Sequence, residues 1–167
     1  MINLNSRLFF LIHNLSGKIR WLDYIMVFVS EVIIYLTIIF VLILRIWGAE
    51  TEKAASSIAF LAILISLILI LVSHIFIKER RPFIKFGFTP LIRFYKNLSF
   101  PSIHTTIISA IFFSSLYFGS EWSLLLLILL IGIAFARIYT GLHYPIDIIG
   151  GIFTGALSVA LAVLFFK

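Results

Sequence analysis

The residues able to do chemistry fall into three short clusters: Arg81-Pro82, then Pro101-Ser102-Ile103-His104, then Arg137 with His143-Tyr144-Pro145-Ile146-Asp147. Together they supply two guanidinium groups, two imidazoles, a hydroxyl and a carboxylate, the parts that phosphoryl transfer needs. Arginine presents a planar fork that pairs bidentately with phosphate oxygens, so Arg81 and Arg137 suit a clamp on a phosphoryl group. Ser102 precedes an apolar run, and with the first amides of the helix predicted there it forms an anion-binding helix N-terminus. His104 follows within that first turn.

His143 and Asp147 are four positions apart. With a helix starting near Leu142, and Pro145 tolerated in its first turn, the two side chains meet on one helix face. A carboxylate on one ring nitrogen fixes the tautomer and frees the other nitrogen to attack phosphorus. His143 is therefore the predicted nucleophile. His104 is the predicted acid that protonates the leaving oxygen and later helps to activate water against the phosphohistidine.

The elements that carry these clusters belong in a bilayer. Of 167 residues, 62% are hydrophobic and 12% charged, where a soluble chain has about a quarter charged. A span needs about 20 apolar residues, and the sequence predicts five, over 24–47, 54–77, 103–118, 122–139 and 146–166. Residues 8–12 are too short to span, and no small-residue cleavage site follows them, so they predict an interfacial helix and not a removable signal. The expected fold is an all-α polytopic transmembrane bundle of five spans, or six if the N-terminal segment also crosses, forming a single domain over 1–167. Trp21, Trp47 and Trp122 fall at span ends, where amphipathic rings favour the headgroup layer.

The connection 78–102 is long and polar, and such loops usually carry function. Counting five crossings brings the ends of the second and fourth spans and the starts of the third and fifth to one membrane face. All the clusters lie at those points. The chain has no cysteine, which removes thiolate nucleophiles and cysteine metal sites. A formal net charge of +6 is spread through short juxtamembrane segments, where anionic headgroups are nearer partners than nucleic acid.

The clusters resemble the three-part signature of the type 2 phosphatidic acid phosphatase superfamily, KxxxxxxRP, PSGH and SRxxxxxHxxxD. The lysine position falls on His74, the glycine on Ile103 and the first serine of the third part on Ala136; Lys78, one helical turn before Arg81, is the other candidate for the missing cation. Within the superfamily, residues 100–106 and 141–147, with Asn14-Leu15-Ser16-Gly17 near the N-terminus, are similar to the bacitracin-resistance type of undecaprenyl-diphosphate phosphatase. The resemblance implies a cofactor-free, metal-independent lipid phosphatase in a bacterial plasma membrane, its site at the outer face. Its partners are then a lipid phosphate or diphosphate and the surrounding lipids, with no obligate protein partner. Undecaprenyl diphosphate is the first expected substrate; lipid A 1-phosphate, phosphatidylglycerophosphate and phosphatidate fit the same site.

Other readings stand beside these. The polar set could be a structural network, although ionisable groups in a membrane are costly and usually functional. His104, His143 and Asp147 could ligate a metal, against which two neighbouring arginines argue. A non-enzymatic binder or transporter could hold anionic lipids through Arg80, Lys85, Arg93 and Lys96. Glu31, inside the first span, is expected to hydrogen-bond within the bundle or face a polar cavity, and Gly151 with Gly155 to pack helices. On the five-span count, ten of the thirteen Lys and Arg residues share the face of the clusters, which the positive-inside rule would place in the cytoplasm, against the resemblance.

Overall fold

The computed structural model describes residues 4–94 and 97–165; Lys96, Phe166 and Lys167 lie outside them. The described residues form helices α1 (Leu4–His13), α2 (Arg20–Glu31), α3 (Ile33–Trp47), α4 (Glu50–Phe76), α5 (Pro82–Phe86), α6 (Ile103–Tyr117), α7 (Ser123–Tyr139) and α8 (Pro145–Phe165). One isolated antiparallel bridge joins Arg80 to Leu98.

The helices lie where the apolar runs predict them, but the five-span bundle is overturned. Among the described residues only α4, with 27 residues, and α8, with 21, are long and apolar enough to cross a membrane, and α2 with α3 make a third only if that pair, bent by 43°, is one span. The reason is length. Helix α6 has 15 residues and α7 has 17, which at 1.5 Å per residue reach about 23 and 26 Å, short of a hydrocarbon core of about 30 Å. The described residues form an all-α bundle with two such helices, or up to three.

Helix α6 packs against α4, α7 and α8. Its contact with α8 is built from small residues, as helix pairs in membranes commonly are. A Cβ on Gly155 would lie 2.5 Å from Ser109 Cβ and 2.7 Å from the Thr106 carbonyl oxygen, and one on Gly151 would lie 2.9 Å from the Ser102 oxygen. The expected packing role of the two glycines is thus met. Ile34, Val41, Ile108, Ile111, Leu126, Leu130 and Ile133 fill the apolar core. Leu64, Ile68, Leu71 and Ile75 form an exposed stripe on α4, and Ile149, Phe153 and Leu157 one on α8. Such faces suit lipid and not water.

Helix α1, expected at the interface, docks on the bundle through Phe9, which is buried with Ile138, Tyr144 and Ile148, while Leu4 and Leu11 stay exposed. The Asn5 side-chain oxygen accepts the Ile146 N–H at 3.1 Å, in the first turn of α8.

Candidate active site

The long loop positions the first cluster through a short backbone ladder. Arg81 N–H donates to the Asn97 carbonyl at 3.1 Å and Ser99 N–H to the Glu79 carbonyl at 2.9 Å. This pairing brings Arg81 and Ser99 under the turn that follows α7. There Gly141 adopts φ +86°, a left-handed conformation that glycine takes without steric cost. The Leu142 and His143 N–H groups both donate to the Arg137 carbonyl, at 3.2 and 3.3 Å, so the end of α7 fixes the place of His143.

Helix α8 begins at Pro145 and not near Leu142, because proline suits the first helical position, where an N–H would be unsatisfied. His143 therefore precedes the helix. Asp147, in the first turn, turns Oδ2 back to accept the Tyr144 N–H at 2.8 Å, the acidic half of a capping box. The Asp147 carbonyl accepts the Ser102 N–H at 3.1 Å, which ties the second cluster to the third.

His143 and Asp147 face one another as the spacing predicts, but His143 Nδ1 lies 3.5 Å from Asp147 Oδ2, beyond an ordinary N–H···O bond. Ser99 makes the closer contact. Its hydroxyl donates a short hydrogen bond to Asp147 Oδ2 and lies 3.5 Å from His143 Nδ1. The sequence reading missed this residue. A lone serine two positions ahead of the second cluster has no motif, and only the pairing of 79–81 with 97–99 places it here.

On the other side of the imidazole, Arg81 Nη1 lies 3.1 Å from His143 Nε2 and donates to the Leu142 carbonyl at 3.2 Å. Its guanidinium also stacks 4.1 Å from the Phe94 ring centre. A guanidinium only donates, so Nε2 must carry a lone pair and the ring proton belongs on Nδ1, toward Ser99 and Asp147. Electrostatics agree: burial first, then Arg81 and Arg137, hold His143 well below the ordinary imidazole value and keep the ring neutral. Burial and Arg137 push the Arg81 guanidinium down to about 10, so it keeps its charge at neutral pH.

Arg137 is buried, and its Nη1 donates to Glu31 Oε1 at 2.5 Å, Ser30 Oγ at 3.1 Å and the Ser30 carbonyl at 3.3 Å. His104 enters α6 one position after its start and lies within electrostatic reach of Arg137, His143 and Arg81. Arg81 Nε, Arg137 Nε, His104 Nε2 and Asp147 Oδ1 are buried without a hydrogen-bond partner in the protein. Buried polar atoms normally have one. Ser102 stands at the N-cap of α6, but its hydroxyl accepts from Thr105 Oγ1 at 3.0 Å and is fully buried.

A cavity of about 670 Å³ opens beside Arg81, lined also by His74, Asn97, Pro101, Leu67 and Ile70. Of the two candidate cations, His74 lines this cavity, whereas Lys78 lies past the end of α4, is exposed and is not part of the lining. Among the described residues, no group of three His, Cys, Asp or Glu side chains is placed to hold a metal ion. The metal-ligand reading of His104, His143 and Asp147 finds no support in this geometry.

Residues 55–167 match the model of the PAP2 superfamily. The undecaprenyl-diphosphatase BcrC of Bacillus subtilis (strain 168) is 31% identical over 166 residues, covering 98% of this chain and 83% of that protein. The crystal structure of Aquifex aeolicus LpxE superposes with a TM-score of 0.75 at 25% identity, covering 97% of this chain and 96% of that one. The PAP2-type phosphatidylglycerolphosphate phosphatase of Bacillus subtilis shares the fold with a TM-score of 0.68 at 18% identity, over 96% of this chain and 83% of its own.

Proposed function

The chain belongs to the PAP2 superfamily, as a metal-independent membrane lipid phosphatase, and from that premise we propose that it removes the terminal phosphate of its lipid through a phosphohistidine on His143. The observation that carries the mechanism is Arg81 Nη1 at 3.1 Å from His143 Nε2, since it leaves the lone pair on the nitrogen that must attack. Three further buried nitrogens, Arg81 Nε, Arg137 Nε and His104 Nε2, have no protein acceptor. An anion bearing several oxygens would satisfy them.

In this mechanism a phosphoryl oxygen, a stronger acceptor than imidazole, draws the Arg81 guanidinium to itself and releases Nε2. The Nε2 lone pair forms the N–P bond as the bond from phosphorus to the leaving oxygen breaks. The negative charge of the bound phosphate offsets Arg81 and Arg137 and lets His104 take up the proton that it then gives to that oxygen. Asp147 and Ser99 hold the Nδ1–H side of the ring while it carries positive charge. Water then attacks phosphorus, gives a proton to His104 and releases inorganic phosphate as the N–P bond breaks. Arg81 and Arg137 stabilise the charge on the transferring group. Among the other candidates, His74 is the side chain best placed beside Arg81, Lys78 lies outside the cavity lining, and Ser102 contributes the α6 N-terminus.

Two substrate readings have support. The name of the Bacillus subtilis relative favours undecaprenyl diphosphate. The phosphatidylglycerolphosphate phosphatase that shares the fold weighs toward a lipid monophosphate, such as phosphatidylglycerophosphate or lipid A 1-phosphate. The cavity beside Arg81 is lined mainly by apolar side chains, which suits a lipid in either case. We place the site at the outer face, as the resemblance implies; the opposing cation count rested on five crossings that the helix lengths do not provide.

The test is phosphate release by the detergent-solubilised protein from undecaprenyl diphosphate, lipid A 1-phosphate, phosphatidylglycerophosphate and phosphatidate, with EDTA present and His143→Ala alongside. EDTA-resistant release that disappears in the variant is the expected result, and the preferred lipid names the substrate. No release from any lipid by folded protein would sink the proposal and favour a binder of anionic headgroups.

A further inference from the structure

The break between α2 and α3 coincides with a contact from a distant part of the chain. Sharp helix bends usually fall at proline or glycine, or where a side chain intrudes on the backbone ladder. Residues 28–36 contain neither proline nor glycine. What intrudes is Arg137 Nη1, which takes the Ser30 carbonyl at 3.3 Å together with Ser30 Oγ and Glu31 Oε1. The pair is bent by 43° at the place where it delivers three oxygens to one guanidinium nitrogen.

All three acceptors engage the same end of the arginine fork. Arg137 has a side-chain exposure of 1% and Glu31 one of 32%, so the buried cation has its counter-charge at the bundle's margin. Arg137 Nε is left buried with no protein partner. Anchoring one corner of a planar guanidinium fixes the directions of its remaining N–H groups. A long side chain that would otherwise sample several rotamers is held in one.

We propose that Glu31, assisted by Ser30, is a positioning residue for the phosphatase reaction, holding Arg137 so that its remaining N–H groups meet the phosphate. This rests on the assignment of Arg137 to the phosphate clamp. A carboxylate that served only to neutralise a buried arginine would have a different signature. Removing it would add positive potential at the site and leave phosphate binding unchanged or tighter. Loss of positioning weakens it.

The experiment measures KM and the inhibition constant of inorganic phosphate, neither of which depends on the fraction of protein that is folded. The variants are Glu31→Asp, which keeps the charge but shortens the reach by one methylene, and Glu31→Ala. Phosphate inhibition should weaken about threefold to tenfold in Glu31→Asp and by more than about tenfold in Glu31→Ala, matching the loss of one charge-assisted hydrogen bond. An unchanged or lower constant in Glu31→Asp overturns the proposal, and that variant decides if Glu31→Ala does not fold. Arg137→Ala separates the two levels. If it leaves phosphate inhibition unchanged, the clamp assignment fails; if it weakens inhibition while Glu31→Asp does not, only the positioning role fails.

Discussion

The Ser99 hydroxyl donates to Asp147 Oδ2, the carboxylate oxygen that also faces His143 Nδ1. In the proposed mechanism Asp147 orients the imidazole with a serine at its side, and that serine comes from a different part of the chain. A hydrogen bond to a charged group is worth about 1.5–3 kcal/mol, or about ten- to a hundredfold in rate where it acts on the transition state. Ser99→Ala should therefore lower kcat by about that factor with KM little changed, measured on the preferred lipid. Ser99→Thr, which keeps the hydroxyl, should recover part of it. An alanine variant with wild-type kcat would show that Asp147 orients His143 without help.

The clusters themselves were legible because their spacing is local. His143 and Asp147 four apart, and Arg137 ahead of them, need only the turn and helix start that Gly141 and Pro145 dictate. Ser99 was not legible, since its place follows from a ladder between 79–81 and 97–99 that leaves no periodic mark in the sequence. The choice between His74 and Lys78 turned on where α4 ends. The helix runs to Phe76, so His74 stays on its last turn beside the cavity while Lys78 falls on the exposed loop.

Hydropathy located the apolar runs but not how far each continues as one helix. At the bend between α2 and α3 the Ser30 carbonyl accepts from Arg137, 107 positions away, and no window around Glu31 contains that contact. The same contact answers what Glu31 does, which the sequence left between bundle hydrogen bonding and a polar cavity.

Arg81 carries two jobs on one nitrogen, holding the Leu142 carbonyl and approaching His143 Nε2. A lysine has a single point of charge and no planar fork. Arg81→Lys should lower kcat/KM by about ten- to a hundredfold, the worth of one or two charge-assisted bonds, with the phosphate inhibition constant rising in parallel. Retained kcat/KM would remove Arg81 from the clamp.

Stability should depend on pH through His143. Burial, then Arg81 and Arg137, hold its folded value well below the ordinary one, which is about 6.5. Above that value the ring is neutral in both folded and unfolded chains and contributes nothing. Below it the unfolded chain binds a proton that the folded one does not, so stability falls with falling pH until the folded value is reached. The unfolding midpoint in detergent should drop between pH 7 and pH 5, and His143→Gln should flatten that slope. An equal slope in the variant would assign the acid sensitivity elsewhere.

The α6–α8 contact sets the distance between the second and third clusters, because Ser102 N–H meets the Asp147 carbonyl across it. A methyl group at Gly155 would lie 2.5 Å from Ser109 Cβ, 2.7 Å from the Thr106 oxygen and 2.9 Å from the Ala110 nitrogen. Two of these are backbone atoms that cannot swing aside, so the helices must separate. Gly155→Ala should cost about 1–3 kcal/mol, as overpacking of a filled contact does. Gly132→Ala is the control, since its Cβ would meet only Val29 Cγ1 at 3.7 Å, an ordinary contact, and alanine favours a helix by up to about 1 kcal/mol over glycine. Thermal unfolding of both variants in one detergent makes the comparison. A lower midpoint and lower kcat in Gly155→Ala, with neither in Gly132→Ala, would show that this seam positions the site; equal behaviour would show that the bundle relaxes around the added methyl.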